Sequence, residues 1–145
     1  MKTVAQMLRS KPQQNVHTVA PDANMLEALR LMAAHNVGAL PVIDGSRLVG
    51  IVSERDYARK GVLEGRSSIG TAVREVMSVP VVTVQPQQSI RECMGLMTGG
   101  HLRHLPVVAE GELIGMLSIG DLVKQTIDDQ ASLIQQLEQY IRGEQ

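Results

Sequence analysis

The chain has 145 residues, of which 43% are hydrophobic and 20% charged, and its formal net charge is −1. That composition excludes an intrinsically disordered chain, and the charge balance offers neither the basic face that duplex nucleic acid needs nor a polybasic stretch for anionic membranes. No apolar run reaches the roughly 18 residues of a membrane span, residues 1–8 lack the apolar region of a signal peptide, and the lone Cys93 has no internal partner, so the expected setting is reducing and cytoplasmic.

In chain order, residues 3–8 read as a helical turn or two. A short β stretch ends at Pro21. Asn24 and Glu27 stand at capping-box spacing, and Met25, Ala28, Leu29 and Met32 fall at i, i+3, i+4, i+7, one face of a helix. Two strands, 38–43 and 47–52, flank Asp44-Gly45, a hairpin signal. A second helix starts at Ser53. Residues 61–70 hold three glycines and two serines and read as a linker. Residues 71–77 resemble the opening turn and introduce a second unit.

That second unit repeats the first at an offset of 65 positions. Residues 16–57 align without a gap on 81–122, with 14 identities among the 42 positions. Leu40-Pro41-Val42 matches Leu105-Pro106-Val107, Gly50 and Ser53 match Gly115 and Ser118, and Asp56 matches Asp121. Ser89 with Glu92 repeats the capping signal, and Ile90, Cys93, Met94 and Met97 repeat the helix face. The order β-α-β-β-α therefore occurs twice, which predicts an α/β (α+β) fold of two half-domains about a pseudo-two-fold axis. Residues 125–142 form an amphipathic helix carrying Ile127, Leu133, Ile134, Leu137, Tyr140 and Ile141. Its apolar face needs this chain's core or a second subunit. The expected divisions are 1–60, 61–70, 71–124 and 125–145.

Few residues suggest chemistry of their own. The chain has no Trp and no Phe, so a planar ligand must lie between aliphatic side chains and backbone rather than on an aromatic platform. His101-x-x-His104 has metal-like spacing but gains at most Glu110, and no metal is expected. His35 sits favourably at a helix end, and His17 has no assigned role. Cys93 aligns with Ala28 and reads as a core thiol. Gly99-Gly100 lacks the Lys-Ser/Thr of a phosphate loop and reads as a helix C-terminus. Ser53-x-x-Asp56 and Ser118-x-x-Asp121 are, taken alone, helix capping boxes. No nucleophile–base–acid set is present, so no enzyme activity is expected.

The twofold β-α-β-β-α order, with Leu-Pro-Val opening one strand and Gly-x-x-Ser-x-x-Asp closing each unit, resembles the cystathionine-beta-synthase (CBS) domain, and the tandem resembles a CBS pair or Bateman module. The likeness runs from Thr3 to about Lys124. Residues 53–57 and 103–107 resemble segments of stand-alone bacterial CBS-pair proteins of signal transduction. The resemblance implies a non-catalytic regulatory module that holds an adenosine compound in clefts between the repeats, with AMP or NAD(H) preferred. It assigns Asp56 and Asp121 to ribose hydroxyls and Ser53 and Ser118 to ribose or phosphate. Gly38 and Ala39 would face the Asp121 cleft, with Ile119 beside Ser118. Arg103 and His104 would face the Asp56 cleft. Lys11 and Gln14 in one segment, and Met77 and Val79 in the other, would close the clefts. Arg55, Arg103 and His104 are candidates to neutralise phosphate, with Arg59 and Lys60 weaker ones. A carboxylate accepting from two hydroxyls, and helix N-termini near a phosphate, suit that chemistry. The family also implies a flat homodimer and a regulated partner protein; the alternative is a ligand-independent dimerisation scaffold.

Overall fold

The computed structural model describes residues 2–12 and 15–143. In chain order the elements are α1 (Val4–Ser10), α2 (Met25–His35), β1 (Ala39–Asp44), β2 (Arg47–Ser53), α3 (Glu54–Lys60), α4 (Val73–Val76), α5 (Ile90–Gly100), β3 (His104–Ala109), β4 (Glu112–Ser118) and α6 (Ile119–Ile141), with a 3-10 turn at Val62–Glu64. Local chemistry accounts for most boundaries. Ser89 and Glu92 cap α5 reciprocally, whereas Asn24 accepts from Glu27 N–H without a return bond. Both long helices of the repeats end on a left-handed residue, Asn36 and His101, a conformation that satisfies the last carbonyls.

Each repeat contributes one antiparallel hairpin, β1–β2 and β3–β4, and both carry a register shift at the same place, after Val42 and after Val107. The β stretches expected before Pro21 and Pro86 are reduced to single parallel bridges, Val19 with Val42 and Val84 with Val107. Proline explains the limit. Val19 N–H donates to the Pro41 carbonyl, and Ile43 N–H donates to the Val19 carbonyl. One step further in either direction would need the N–H of Pro41 or of Pro21, which proline lacks. Pro106 and Pro86 confine the Val84 bridge in the same way.

Two hydrophobic cores form, one per repeat, and each takes a short helix from the other half of the sequence. Val4 and Met7 of α1 are buried with Leu105, Val107, Leu117 and Leu122 of the second repeat. Val73 and Val76 of α4 are buried with Met25, Met32, Leu40 and Val52 of the first. Backbone bonds fix the exchange: Val4 N–H to the Gln88 carbonyl, Ile90 N–H to the Lys2 carbonyl, Val73 N–H to the Ala23 carbonyl and Met25 N–H to the Thr71 carbonyl. The sequence grouped α1 with the repeat that follows it. At seven and four residues, α1 and α4 are too short to persist alone, and each reaches a core only across the pseudo-two-fold axis.

α6 is one unbroken helix of 23 residues. The closing helix of the second repeat and the amphipathic segment expected from residue 125 onward are thus continuous across Lys124. Leu122 and Gln125 are buried, but Ile127, Leu133, Ile134, Leu137, Tyr140 and Ile141 are all exposed.

The helix exchange predicts a non-local response to a core deletion. Met7→Ala should cost about 2–5 kcal/mol by urea unfolding. Amide exchange should then accelerate at Leu105 and Leu117, in the second repeat, more than at Leu40 and Val52. Selective loosening of the first repeat would contradict the exchange.

Candidate functional site

The clearest site is built around the end of β4. Ser118 is the last strand residue and the N-cap of α6: its Oγ accepts from Asp121 N–H at 3.1 Å, and its own N–H donates to Asp121 Oδ2 at 2.8 Å. This reciprocal cap holds the carboxylate in the lining of a cavity of about 460 Å³ between the repeats, a volume within the usual range of small-molecule sites. Gly38 and Ala39 line it from the first repeat, and Leu8, Gly115 and Met116 line it as well. A Cβ on Gly115 would sit 2.7 Å from Leu8 Cδ2, so glycine there lets α1 approach β4. Lys11 reaches in from the end of α1. Its Nζ stands 3.0 Å from Asp121 Oδ2 and 2.7 Å from the Met116 carbonyl oxygen. A smaller groove of about 220 Å³, lined by Lys2, Lys124, Asp128 and Asp129, adjoins the cavity at Lys11 and Asp121.

His104 also lines this cavity, rather than only the Asp56 side where the alignment had placed it. Its Nε2 lies 3.8 Å from the position a Cβ on Gly38 would occupy, so the ring and the Gly38 backbone are neighbours across the two repeats. Burial pushes the His104 pKa below its ordinary value; Asp121 and Asp56 pull it up, and Arg103 and Lys11 push it further down. Burial thus favours the uncharged form of the ring.

The equivalent residues of the first repeat form a different arrangement. Ser53 N–H and Oγ both donate to Asp56 Oδ2, at 3.1 and 3.0 Å. Ser78 Oγ donates to Asp56 Oδ1 at 3.1 Å, with Lys60 Nζ 3.9 Å from the same oxygen. Both carboxylate oxygens are thus engaged. Ser78 is held there by a two-bond bridge to Ile51. Met77 beside it packs on Gly50, where a Cβ would meet its Sδ at 2.6 Å, and Val79 is exposed. Outside this cluster Arg55 feels Arg59 first and Arg103 second, and the like charges lower its pKa.

The structure therefore brings Lys11, Gly38, Ala39, His104, Ser118 and Asp121 to one cavity. Ser53, Asp56, Arg55, Arg103, Met77 and Val79 are not among its lining, and Ile119 is half exposed. Gln14 lies outside the described residues. Ser78 falls within residues 77–81, a segment expected to close a cleft, but its bond to Asp56 depends on a bridge to β2 that no local pattern signals. Sequence reasoning missed His17, which lines the cavity and stacks on His35 with ring centroids 3.4 Å apart. Cys93 is buried, and burial, with Glu92 adding to it, raises its thiol pKa, which leaves it a poor nucleophile. Among the described residues no group of three or more His, Cys, Asp or Glu side chains could hold a metal ion, and no helix is long and apolar enough to cross a membrane.

This geometry is that of a known family. A model of the CBS domain matches residues 4–62 and 73–128. The chain belongs to the CBS domain family, and its two domains in tandem make a CBS pair, a regulatory module. Over 127 residues it is 39% identical to the mitochondrial CBS domain-containing protein CBSX3 of Arabidopsis thaliana, covering 84% of this chain and 62% of that protein; it spans less than two thirds of that relative's length. A structure of a protein with CBS domains from Burkholderia ambifaria MC40-6 is 52% identical, with a TM-score of 0.85 over 89% of this chain and 96% of that one. The structure of CBSX2 in complex with AMP is 29% identical, with a TM-score of 0.74 over 87% and 97% of the two chains.

The depressed His104 pKa has a consequence for stability. The unfolded chain binds this proton near pH 6.5, above the folded pKa. Between the two values the unfolded state holds more protons, so the contribution is present above about pH 6.5 and is lost as pH falls. Urea unfolding between about pH 7.5 and 5.5 should show a smaller acid-side loss in His104→Gln than in the wild type. Equal slopes would assign the loss to other groups.

Proposed function

We propose that this CBS pair is a non-catalytic adenine-nucleotide sensor that holds AMP, NAD(H) or a related adenosyl compound at Asp121. The observation that carries the reading is the carboxylate of Asp121 lining a cavity that the side-chain-poor Gly38-Ala39 segment of the other repeat also lines. A carboxylate can accept from both hydroxyls of a ribose, and a wall of glycine and alanine leaves room for a flat base. The AMP held by CBSX2 supports this choice of ligand class. The Asp56 carboxylate, already bonded to Ser53 and Ser78, is the weaker of the two sites, and the Arg55, Arg59 and Arg103 cluster beside it favours a more highly charged ligand there.

α6 begins at the Ser118–Asp121 cap and ends with an exposed apolar face, so it is the natural reporter of occupancy. A ligand shifts its position only by binding two arrangements with different affinity. We assign the distal face to a homodimer or to a regulated partner protein, in a cytoplasmic setting. That same exposed face favours the second reading, a dimerisation scaffold that needs no ligand.

A thermal-unfolding screen against AMP, ADP, ATP, NAD, NADH, S-adenosylmethionine and GTP separates the two. A ligand at a hundred times its Kd adds about 2.7 kcal/mol, a shift of several degrees at this size. The sensor reading expects an adenosine-specific shift that Asp121→Ala abolishes and Asp56→Ala largely retains. No shift with any ligand would leave the scaffold.

A further inference from the structure

α6 carries two apolar faces, and the protein's own core uses one of them. Leu122 and Gln125 are buried, and Leu122 belongs to the core of the second repeat. The other face is regular. Set on a heptad abcdefg, Ile127, Ile134 and Ile141 recur at a, and Val123, Gln130 and Leu137 stand at d. Leu122 and Gln125 then fall at c and f, on the side of the helix away from the a/d seam. The helix can therefore keep its place in the core while the seam meets something else. Val123, Ile127, Ile134, Leu137 and Ile141 are each half exposed or more, and Gln130 is exposed. No charged side chain interrupts the seam.

We propose that the distal half of α6 is a homodimerisation seam: a second copy of this chain lays its α6 parallel to this one and in register, and the two form a short coiled coil from Val123 to Ile141. The inference rests on the homodimer reading of this face given above and names the contact that makes it. The seam is complementary to itself. Isoleucine at a with leucine at d is the combination that favours two parallel strands. Gln130 sets the orientation. In parallel register it faces its own counterpart, and two side-chain amides can each donate to the other and accept from it. In the antiparallel overlap of the same segments it faces the counterpart of Ile134, and its amide is buried without a partner. The flanks agree with the parallel arrangement. Position g of one helix meets position e of the next heptad in the other, which sets Thr126 against the counterpart of Ala131 and Leu133 against the counterpart of Glu138. No like charges meet, while Asp128 and Asp129 fall at b and c, outside the contact. Layers that each match themselves are the mark of a two-fold contact between identical chains, and a foreign helix would not need them. Fewer than three heptads make a short coiled coil, so the association is reversible and depends on concentration.

The test is sedimentation velocity of the full chain over a range of concentrations, for the wild type, Ile134→Asp and Gln136→Asp. Residue 136 is exposed at position c of the same helix turn, so the two substitutions load the helix alike and differ only in face. The wild type should pass from monomer to dimer as concentration rises. Ile134→Asp should weaken the dimer roughly tenfold or more, and Gln136→Asp should leave it unchanged. Orientation is read from Leu137→Cys under mild oxidation. Parallel register puts residue 137 beside its counterpart and gives a disulfide-linked dimer, whereas the wild type, whose Cys93 is buried, should give none. A dimer that neither Asp substitution weakens, or that both weaken equally, overturns the seam and leaves the homodimer to another face. A dimer weakened by Ile134→Asp alone but not linked through Leu137→Cys overturns the parallel register. A wild type that stays monomeric at all concentrations overturns the seam and the homodimer reading together, and leaves the face to a regulated partner protein.

Discussion

The structure turns on the junction where a strand becomes a helix within one residue. Ser53 and Ser118 each end a hairpin and cap the next helix, and in both repeats the Asp three residues on returns a bond to the serine backbone. The cap stops the strand, directs the helix and fixes a carboxylate, all through one pair of reciprocal bonds. At Ser118 the next amide, Ile119 N–H, is taken by the Arg103 carbonyl. The cap is thereby tied to the start of β3 as well as to the end of β4. The carboxylate is thus part of the folding framework.

From that shared junction the two repeats diverge by a few side chains. Lys60 against Gln125, Gly38 against Arg103 and Ala39 against His104 are differences at equivalent positions. Their consequences are large. Asp56 is bonded at both oxygens by its own helix cap and by Ser78, while Asp121 is bonded at Oδ2 by its own cap and by a lysine from α1. A duplicated scaffold has produced two carboxylates with different partners. The same asymmetry puts His104 in the Asp121 cavity, where burial lowers its pKa and Asp121 opposes the shift.

α6 connects this site to the surface. Its first turn carries Asp121, its second turn is buried through Leu122 and Gln125, and its distal half shows an apolar face to solvent. α1 is placed to act with it, since Lys11 lies at its C-terminal end and its apolar residues share the core with Leu122.

Much of this was legible in the residues. The repeat at 65 positions, the capping pairs, the helix faces and the hairpins follow from local chemistry with a range of a few residues, and the two Asp positions follow from their place in the repeat. Local patterns also determined that Pro21, Pro41, Pro86 and Pro106 stand where they do, although their effect, limiting each opening strand to a single bridge, appears only once the strands are paired. What the tertiary structure decided was every relation across the pseudo-two-fold axis. The exchange of α1 and α4 between cores, the pairing of Ser78 with Ile51, the entry of His104 into the Asp121 cavity and the reach of Lys11 over 110 positions to Asp121 join residues that no periodicity connects. The physical reason is one of range. Caps, turns and amphipathic faces are set by neighbours along the chain, whereas the partner of a buried methyl or a half-buried charge is whichever group the packed repeats bring to it.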